Sequence, residues 1–299
     1  MTTLTARNFG DTPTRPVTAA RGPSRRPTAS RIVAFAVLAV ICLLWLVPFL
    51  WALNTSFKTE ADAGATPVTI APDSGYTLDI YRRVFETGNI PTWMMNSFIV
   101  ATGVTVITLV ISTLAAYAFS RLDFAGRKVQ LAITVASIMI PGQIFIVPLF
   151  DQMLALNLVD TYWGIILPQV IAPVMVFVLK RFFDEIPREL EDAARVDGAS
   201  TFRIFTQIVL PLSRPIIAAV AIFTFIGAWN NFLWPFIVTN DPDLMTLPVG
   251  LATVTTGYGV VFAQNMAGAM LAALPLIVVF MLFQRQIIRG IATTGLGGQ

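Results

Sequence analysis

The sequence predicts an all-α membrane protein with six transmembrane helices. Hydrophobic residues make up 56% of the 299 residues and charged residues only 12%. Several apolar runs reach the ~20 residues that a helix needs to cross a hydrocarbon core of ~30 Å. The single cysteine, Cys42, excludes an intramolecular disulfide, and the lack of histidine removes the commonest metal ligand and proton shuttle.

The apolar runs define the predicted elements in chain order. Residues 1–30, rich in Pro, Thr, Ser and Arg, predict a disordered basic tail. The run that follows is too long for a signal peptide and lacks a small-residue cleavage site, so it is predicted to remain as the first span. The six spans are predicted at 32–53, 96–120, 129–150, 163–179, 215–238 and 266–284, inside a transmembrane domain of residues 31–290 that is followed by a C-terminal tail, 291–299.

Lys and Arg are unequally divided between the two sides of this bundle. Seventeen fall in the tails and loops of one side, and only Lys58, Arg82 and Arg83 fall on the other. Because cytoplasmic loops carry an excess of Lys and Arg, the asymmetry predicts cytoplasmic N and C termini. The outer side then carries two longer segments, 54–95 and 239–265, the first with an amphipathic stretch around Tyr81 to Phe85.

The spans lack the groups that would let the chain drive transport by itself. None of the six contains Asp, Glu, Lys or Arg, whereas ion-coupled transporters usually place an ionisable residue in the membrane. The chain also lacks the phosphate-binding motif G-x-x-x-x-G-K-[ST]. We therefore expect no enzymatic activity in this chain and an energy source supplied by a partner.

A polar loop between the fourth and fifth spans predicts a helix-turn-helix, which is by its shape a coupling element. Pro187 suits the first turn of a helix over 188–196, and Gly198 suits a turn that requires a positive φ. Ser200 or Thr201 is then expected to cap a second helix.

The second helix of this loop carries an apolar stripe at helical spacing, formed by Phe202, Phe205, Ile208 and Val209. Two placements are compatible with it: against the protein's own bundle, or in a groove on a partner. A third interpretation is an amphipathic helix that only anchors the loop among lipid headgroups.

The same loop resembles the cytoplasmic EAA loop of permease subunits of binding-protein-dependent ABC importers. That motif reads Glu-Ala-Ala, three residues, Gly, nine residues, Ile-x-Leu-Pro. The chain matches it at Ala193, Ala194, Gly198, Ile208, Leu210 and Pro211, with Asp192 in the position of Glu. The resemblance implies that the loop 181–213 contacts ATPase subunits through Asp192, Ala193, Ala194, Gly198, Phe202, Ile208, Leu210 and Pro211.

The resemblance extends over most of residues 31–299 and looks closest to the carbohydrate-importer branch, the maltose-type permeases. It is carried also by Asn54 to Lys58, Asn96-Ser97, Ala115 to Arg121 and Ala228 to Phe232. It implies the type I (MetI-like) importer fold. The implied partners are a second permease subunit, two ATP-binding cassette subunits that hold ATP and Mg²⁺, an extracellular solute-binding protein and membrane lipid, with no cofactor in this chain and no nucleic acid.

Four polar or aromatic residues at membrane depth are candidates for the solute path. Trp229, Asn230 and Asn231 are expected midway along the fifth span, and Gln143 follows Pro141-Gly142 in the third. Amides in hydrocarbon must pair or face water. The two Asn side chains therefore either line the path or join neighbouring helices, and the Pro141 segment is either a gate or a kink.

Two other functions are weighed against the permease. An intramembrane enzyme would hold Mg²⁺ with the acidic residues of the loop: Asp184, Glu185, Glu189, Glu191, Asp192 and Asp197. However, all six lie in one loop beside Lys and Arg residues that would neutralise them. An ion-coupled secondary transporter is the other alternative, and the charge-free spans argue against it.

Overall fold

The computed structural model describes residues 29–254 and 261–295, and every regular element in these ranges is a helix. The helices are α1 (Ala29–Ser56), α2 (Glu60–Ala63), α3 (Asp79–Thr87), α4 (Ile90–Arg121), α5 (Arg127–Ser137), α6 (Ile146–Ala155), α7 (Tyr162–Ile166), α8 (Pro173–Asp184), α9 (Arg188–Val196), α10 (Thr201–Ile204), α11 (Leu210–Leu212), α12 (Arg214–Trp229), α13 (Leu233–Val238), α14 (Leu247–Val254) and α15 (Phe262–Gly295). The chain divides within α1 into two compact units, 1–49 and 50–299. The packing described below belongs to the second unit.

Three helical stretches in the described part of the chain are long and apolar enough to cross a membrane: Arg31–Ser56, Ile90–Arg121 and Phe262–Gln284. Three further candidates are pairs of helices bent at a short break. These are Arg127–Ser137 with Gly142–Ala155 at 96°, Tyr162–Gln169 with Pro173–Asp184 at 50°, and Thr201–Leu212 with Arg214–Trp229 at 78°. The all-α prediction is confirmed, and the number of spans reaches six if each bent pair is one span.

The third predicted span, 129–150, is divided at the Pro141 segment, where the sequence predicted a gate or a kink. α5 ends at Ser137, and a 3₁₀ turn, Gly142–Phe145, intervenes before α6. Pro141 precedes this turn with an extended backbone (ψ 124°). Because proline has no N–H and its ring clashes with the preceding helical turn, an uninterrupted α-helix is disfavoured here. The resulting bend of 96° is far larger than an ordinary proline kink.

The fifth predicted span, 215–238, is also wrong as one helix. α12 ends at Trp229, and α13 begins only at Leu233. Pro235 explains the break, because in a continuous helix its missing N–H would leave the carbonyl of Asn231 without a partner. In the first turn of a new helix the missing N–H costs nothing. Trp229, Asn230 and Asn231 therefore lie at the end of a helix rather than midway along one.

Parts of the predicted tails and of the second outer segment lie outside the described residues. The N-terminal tail, 1–30, is described only from Ala29, where α1 begins. Residues 255–260 of the outer segment and residues 296–299 of the C-terminal tail are likewise outside. α15 continues to Gly295, into the segment that the sequence assigned to the C-terminal tail.

One hydrophobic cluster is built around the N-terminal half of α4. Trp93, Val100, Ile165, Trp229 and Leu247 are among its buried members. α4 packs against α7, α8, α12 and α14, so it is the central helix of this unit. In a membrane, close packing of such side chains and the hydrogen bonds between helices, rather than removal from water, hold the helices together.

The first turns of α4 also hold the outer segment after α13 by hydrogen bonds. The buried amide of Asn96 donates to the carbonyls of Asp243 (2.8 Å) and Met245 (2.9 Å), and the Trp93 ring N–H donates to the carbonyl of Pro242 (2.8 Å). Ser97 Oγ accepts the backbone N–H of Leu247 at 2.8 Å. These bonds satisfy backbone groups of a non-helical segment and fix it to α4.

Candidate functional site

The polar loop after α8 forms the predicted helix-turn-helix. α9 spans Arg188–Val196, as the sequence predicts, and Gly198 has φ +80°. The N–H of Gly198 donates to the carbonyl of Arg195 (3.0 Å), and the N–H of Ala199 donates to that of Ala194 (2.9 Å). This pair of bonds is the Schellman motif, which requires a left-handed residue after the helix.

Caps define the starts of both short helices. Ser200 is the N-cap of α10, and its Oγ accepts the backbone N–H of Arg203 at 3.3 Å. Pro187 stands at the N-cap of α9, just before the first-turn position that the sequence predicted for it. From α10 the chain passes through a π-helical turn, Phe205–Val209, into α11.

The predicted apolar stripe is divided between two environments. Phe205 and Val209 are buried in the protein's own bundle, where the ring of Phe205 lies 4.9 Å from that of Tyr117 in α4. Ile208 packs partly against the same cluster. Phe202, by contrast, is 71% exposed, as is Val196 on the preceding helix at 89%. Phe202 is thus separated from the other three residues of the stripe.

The eight residues predicted to contact ATPase subunits separate in the same way. Four are exposed at the tip of the helix-turn-helix: Asp192, Ala193, Gly198 and Phe202. The other four are partly buried where the loop joins the bundle: Ala194, Ile208, Leu210 and Pro211. We call the exposed surface formed by Asp192, Ala193, Val196, Gly198 and Phe202 the docking face. Such an apolar surface with a charged rim is typical of a protein–protein contact.

A buried ion pair, which the sequence analysis missed, lies beneath α9. Arg121 Nε is 2.9 Å from Glu191 Oε1, and the two side chains are 3% and 2% exposed. The one available signal was helical spacing: Glu191 is three residues before Ala194 and so shares its inward face. From the sequence, Glu191 was only one of six acidic residues that the Lys and Arg residues of the same loop would neutralise.

Two of the other acidic residues of the loop, Asp184 and Asp192, also form close ion pairs. Lys180 lies 2.6 Å from Asp184, and Arg195 lies 3.0 Å from Asp192. Within residues 29–254 and 261–295 no group of three or more Asp, Glu, His or Cys residues is arranged to hold a metal ion. The geometry of the loop therefore gives the Mg²⁺-dependent transferase no support.

Two of the candidate path residues at the end of α12 bind to neighbouring helices. Trp229 is 2% exposed, stacks on Phe225 (ring centroids 5.9 Å apart) and donates its ring N–H to the carbonyl of Ala272 in α15 (3.2 Å). The amide of Asn231 donates to Gln169 Oε1 at 2.7 Å. Both contacts join helices, as interhelical hydrogen bonds do in membrane proteins.

The remaining two candidates, Asn230 and Gln143, are both exposed and belong to different elements. Asn230 donates its side-chain amide to the carbonyl of Ile226, one turn back in its own helix, at 2.9 Å. Gln143 is exposed in the 3₁₀ turn between α5 and α6. Asn230 and Gln143 are therefore both accessible polar side chains, and Asn230 is the one that lies beside Trp229 and Asn231 at the end of α12.

Asp160 fixes the segment that follows α13 by hydrogen bonds. Its Oδ1 accepts the backbone N–H groups of Asn240 and Asp241, the latter at 3.0 Å. Burial acts to raise the pKa of Asp160, but these hydrogen bonds to the carboxylate outweigh it and hold the pKa below its ordinary value. Asp160 itself has φ +55°, a conformation that Asp tolerates better than most residues.

Comparison with known proteins extends these observations. Residues 108–293 match the family described as "Binding-protein-dependent transport system inner membrane component". The arabinooligosaccharides transport system permease protein AraQ of Halalkalibacterium halodurans is 37% identical over 268 residues, which cover 89% of this chain and 95% of that protein. The trehalose/maltose transport system permease protein MalG of Thermococcus litoralis is 33% identical over 273 residues, covering 90% and 96%.

A solved structure has the same fold. It is the crystal structure of a bacterial ABC transporter involved in the import of the acidic polysaccharide alginate, one chain of which superposes with a TM-score of 0.75. The two sequences are 21% identical, and the match covers 88% of this chain and 99% of that one.

Proposed function

The chain belongs to the family of binding-protein-dependent transport system inner membrane components, and from this membership we propose that it forms half of the solute path of an ATP-driven sugar importer. It has the type I (MetI-like) fold of ABC importer permeases and is a transport subunit, not an enzyme. The observation that carries the proposal is the docking face, which leaves Val196 and Phe202 exposed on a rigid helix-turn-helix.

The proposed assembly contains four kinds of subunit: this chain, a second permease subunit, ATP-binding cassette subunits and an extracellular binding protein. Two ATP-binding cassette subunits bind ATP and Mg²⁺ and contact the docking face, a second permease subunit completes the path, and an extracellular binding protein delivers the solute. The partly buried residues Ala194, Ile208, Leu210 and Pro211 support the docking face from below. A contact of this kind drives uphill transport only if its affinity differs between inward-facing and outward-facing states.

We assign a sugar as the substrate class because relatives that match along nearly the whole chain carry sugars in their names. Those relatives are the arabinooligosaccharides and trehalose/maltose permeases described above. Mass spectrometry of the solute released from the co-purified binding protein tests this assignment. Release of a mono- or oligosaccharide is expected, and release of an amino acid or a metal complex would refute it.

The proposed orientation leads to an accessibility prediction. The charge asymmetry places both termini and the α4–α5 loop in the cytoplasm and the segment after α2 outside. In a Cys42→Ser background, Arg127→Cys and Gly295→Cys are expected to be protected from an impermeant thiol reagent in intact cells, whereas Ser74→Cys is expected to react. Both groups should react after the membrane is permeabilised. Labelling of Gly295→Cys in intact cells would contradict the proposed orientation and favour an extracellular C terminus.

Asn230 is the residue that we propose to contact the passing solute. Asn230→Leu removes an exposed amide without touching an interhelical bond, and we expect uptake to fall roughly fivefold, the factor for one lost hydrogen bond of ~1 kcal/mol. Uptake of the radiolabelled sugar by reconstituted complex measures this. Asn231→Leu is the contrast, since it breaks the contact with Gln169 and is expected to reduce the yield of assembled complex. Normal uptake by assembled Asn230→Leu would remove Asn230 from the path.

A further inference from the structure

Arg121 joins three structural elements at the loop end of the bundle. It is the last residue of α4, and its Nε is 2.9 Å from Glu191 Oε1 in α9. Its Nη2 donates to the carbonyls of Phe183 and Ile186, the latter at 2.6 Å, where α8 ends. The neighbouring Ser120 adds a bond from Oγ to Asp184 Oδ1 at 2.7 Å. The ends of α4 and α8 and the start of α9 are thereby held together by one planar side chain and its neighbour.

The burial of this pair is what distinguishes it from the other ion pairs of the loop. Arg121 and Glu191 are 3% and 2% exposed, whereas Asp192 and Arg195 are 65% and 49% exposed. A buried ion pair is costly to desolvate, and apolar residues of similar size often stabilise a protein equally well. Stability alone therefore does not account for two buried charges here. The Arg121 guanidinium does, however, fix orientation in a way that apolar contacts do not, because its Nη2 donates to two carbonyls while its charge pairs with the Glu191 carboxylate.

Because Arg121 is the last residue of α4, it connects α9 to the whole length of that helix. α4 has 32 residues and so extends roughly 48 Å at 1.5 Å per residue. Its first turns hold the outer segment through Trp93 and Asn96, and its last residue holds α9. A displacement of α9 is then transmitted by a single rigid helix to the side of the protein that faces the binding protein.

We propose that Arg121 is the positioning residue that makes α4 and the docking helix α9 move as one body, so that ATPase motion reaches the outer gate through the Arg121–Glu191 pair. The inference rests on the proposed function, since it requires α9 to contact an ATPase subunit. Glu191 is the residue of α9 that forms the ion pair with Arg121, and Arg195 Nη2 lies 3.8 Å from its second carboxylate oxygen. The outward-exposed Asp192 contacts the partner, and the inward-facing Glu191 contacts α4.

A double-mutant experiment separates this role from simple stabilisation. In the full complex, Arg121→Met or Glu191→Met leaves one buried charge unpaired, and we expect the melting temperature to fall roughly 5 to 10 °C. The double variant removes both charges and is expected to regain assembly and melting temperature. Its stimulation of ATP hydrolysis by loaded binding protein is nevertheless expected to stay about tenfold below wild type, within the usual range of coupling energies. Recovery of stimulation together with stability would show that the pair is only structural.

Two further variants keep the test decisive. Arg121→Lys preserves the charge but not the planar fork, and we expect an assembled complex whose stimulation is reduced about fivefold; full stimulation would overturn the proposal even if the double variant did not assemble. Arg127→Met is the matched control. Arg127 forms an ion pair with Asp123 at 2.8 Å near the same end of α4, but Asp123 is 97% exposed. Its loss is expected to leave stimulation unchanged.

A cross-linking measurement distinguishes failure of the inference from failure of the proposed function. Val196→Cys in a Cys42→Ser background places a thiol on the exposed side of α9. If α9 contacts an ATPase subunit, a short bifunctional reagent links the two in the otherwise wild-type complex. Absence of this link would contradict the proposed function. Presence of the link together with normal stimulation in the double variant would contradict only the role of Arg121.

Discussion

Gly198→Pro is expected to abolish both transport and the stimulation of ATP hydrolysis by loaded binding protein, while the chain still inserts into the membrane. Gly198 has φ +80° and supplies the left-handed residue of the Schellman turn between α9 and α10. Proline holds φ near −65° and has no N–H for the bond to the carbonyl of Arg195. The two short helices would then point in different directions, and the docking face would be lost.

A conservative change at Gly198 tests whether the loss of stimulated ATP hydrolysis is caused by the loss of the positive φ. A Cβ at Gly198 would meet no neighbouring atom within 4 Å, so the positive φ is what opposes substitution there. Asn tolerates the left-handed region, and Gly198→Asn is expected to retain most of the stimulated ATPase activity. Asp192→Lys, which reverses a charge on the docking face, is expected to lose it. Normal stimulated hydrolysis in Gly198→Pro and Asp192→Lys would favour the headgroup-anchor interpretation of the loop.

Gly164→Ala is expected to prevent stable folding of the subunit, with a cost of about 3 kcal/mol or more. A Cβ at this position would lie only 2.1 Å from the carbonyl oxygen of Leu158. That atom belongs to the backbone, so it cannot turn aside as a flexible side chain can. The carbonyl of Gly164 also accepts the ring N–H of Trp234 (3.1 Å). A shift of α7 would therefore also disturb the hydrophobic cluster around α4, to which Trp234 belongs.

Gly227→Ala is the matched control for this prediction. Gly227 lies inside α12, where an added Cβ meets nothing within 4 Å. Alanine favours a helix interior over glycine by ~1 kcal/mol, so this variant is expected to be as stable as the wild type or slightly more so. The yield and melting temperature of detergent-purified complex measure both variants. Wild-type behaviour of Gly164→Ala would contradict the packing of α7 against the turn before it.

Local chemistry explains why the helix-turn-helix was predictable. The bounds of α9, the left-handed Gly198 and the cap by Ser200 each depend on residues within one turn of the chain. Such rules need no knowledge of tertiary structure. The pattern of alternating apolar runs was equally sufficient for the all-α class, because span length depends only on composition and the thickness of the membrane.

Breaks inside the apolar runs were harder to predict. Hydropathy treats proline and asparagine in an apolar run as tolerated interruptions, so the apolar pattern gives no sign that Pro235 divides the fifth predicted span. The position of Pro235 decides where α12 ends and α13 begins, and it moves Asn230 and Asn231 to the end of a helix. Whether a proline kinks a span or divides it depends on which neighbours satisfy the freed backbone groups.

Contacts between residues far apart in the chain could not be predicted from the sequence. Arg121 and Glu191 are far apart in the chain, and nothing local distinguishes Glu191 from the exposed acids around it. The division of the apolar stripe had the same cause: the burial of Phe205 beside Tyr117 and the exposure of Phe202 depend on how the π-helical turn sits on α4. Periodicity identifies an apolar face but does not say what covers it.

Uptake by sealed proteoliposomes tests the central claim that this chain conducts solute in an ATP-driven, binding-protein-dependent importer. The reconstituted complex receives the loaded binding protein on the outer side and ATP on the side of the docking face. We expect uptake of the labelled sugar only when both are present, and no effect of a protonophore. Uptake that persists without ATP and is abolished by the protonophore would instead show that transport is driven by an ion gradient.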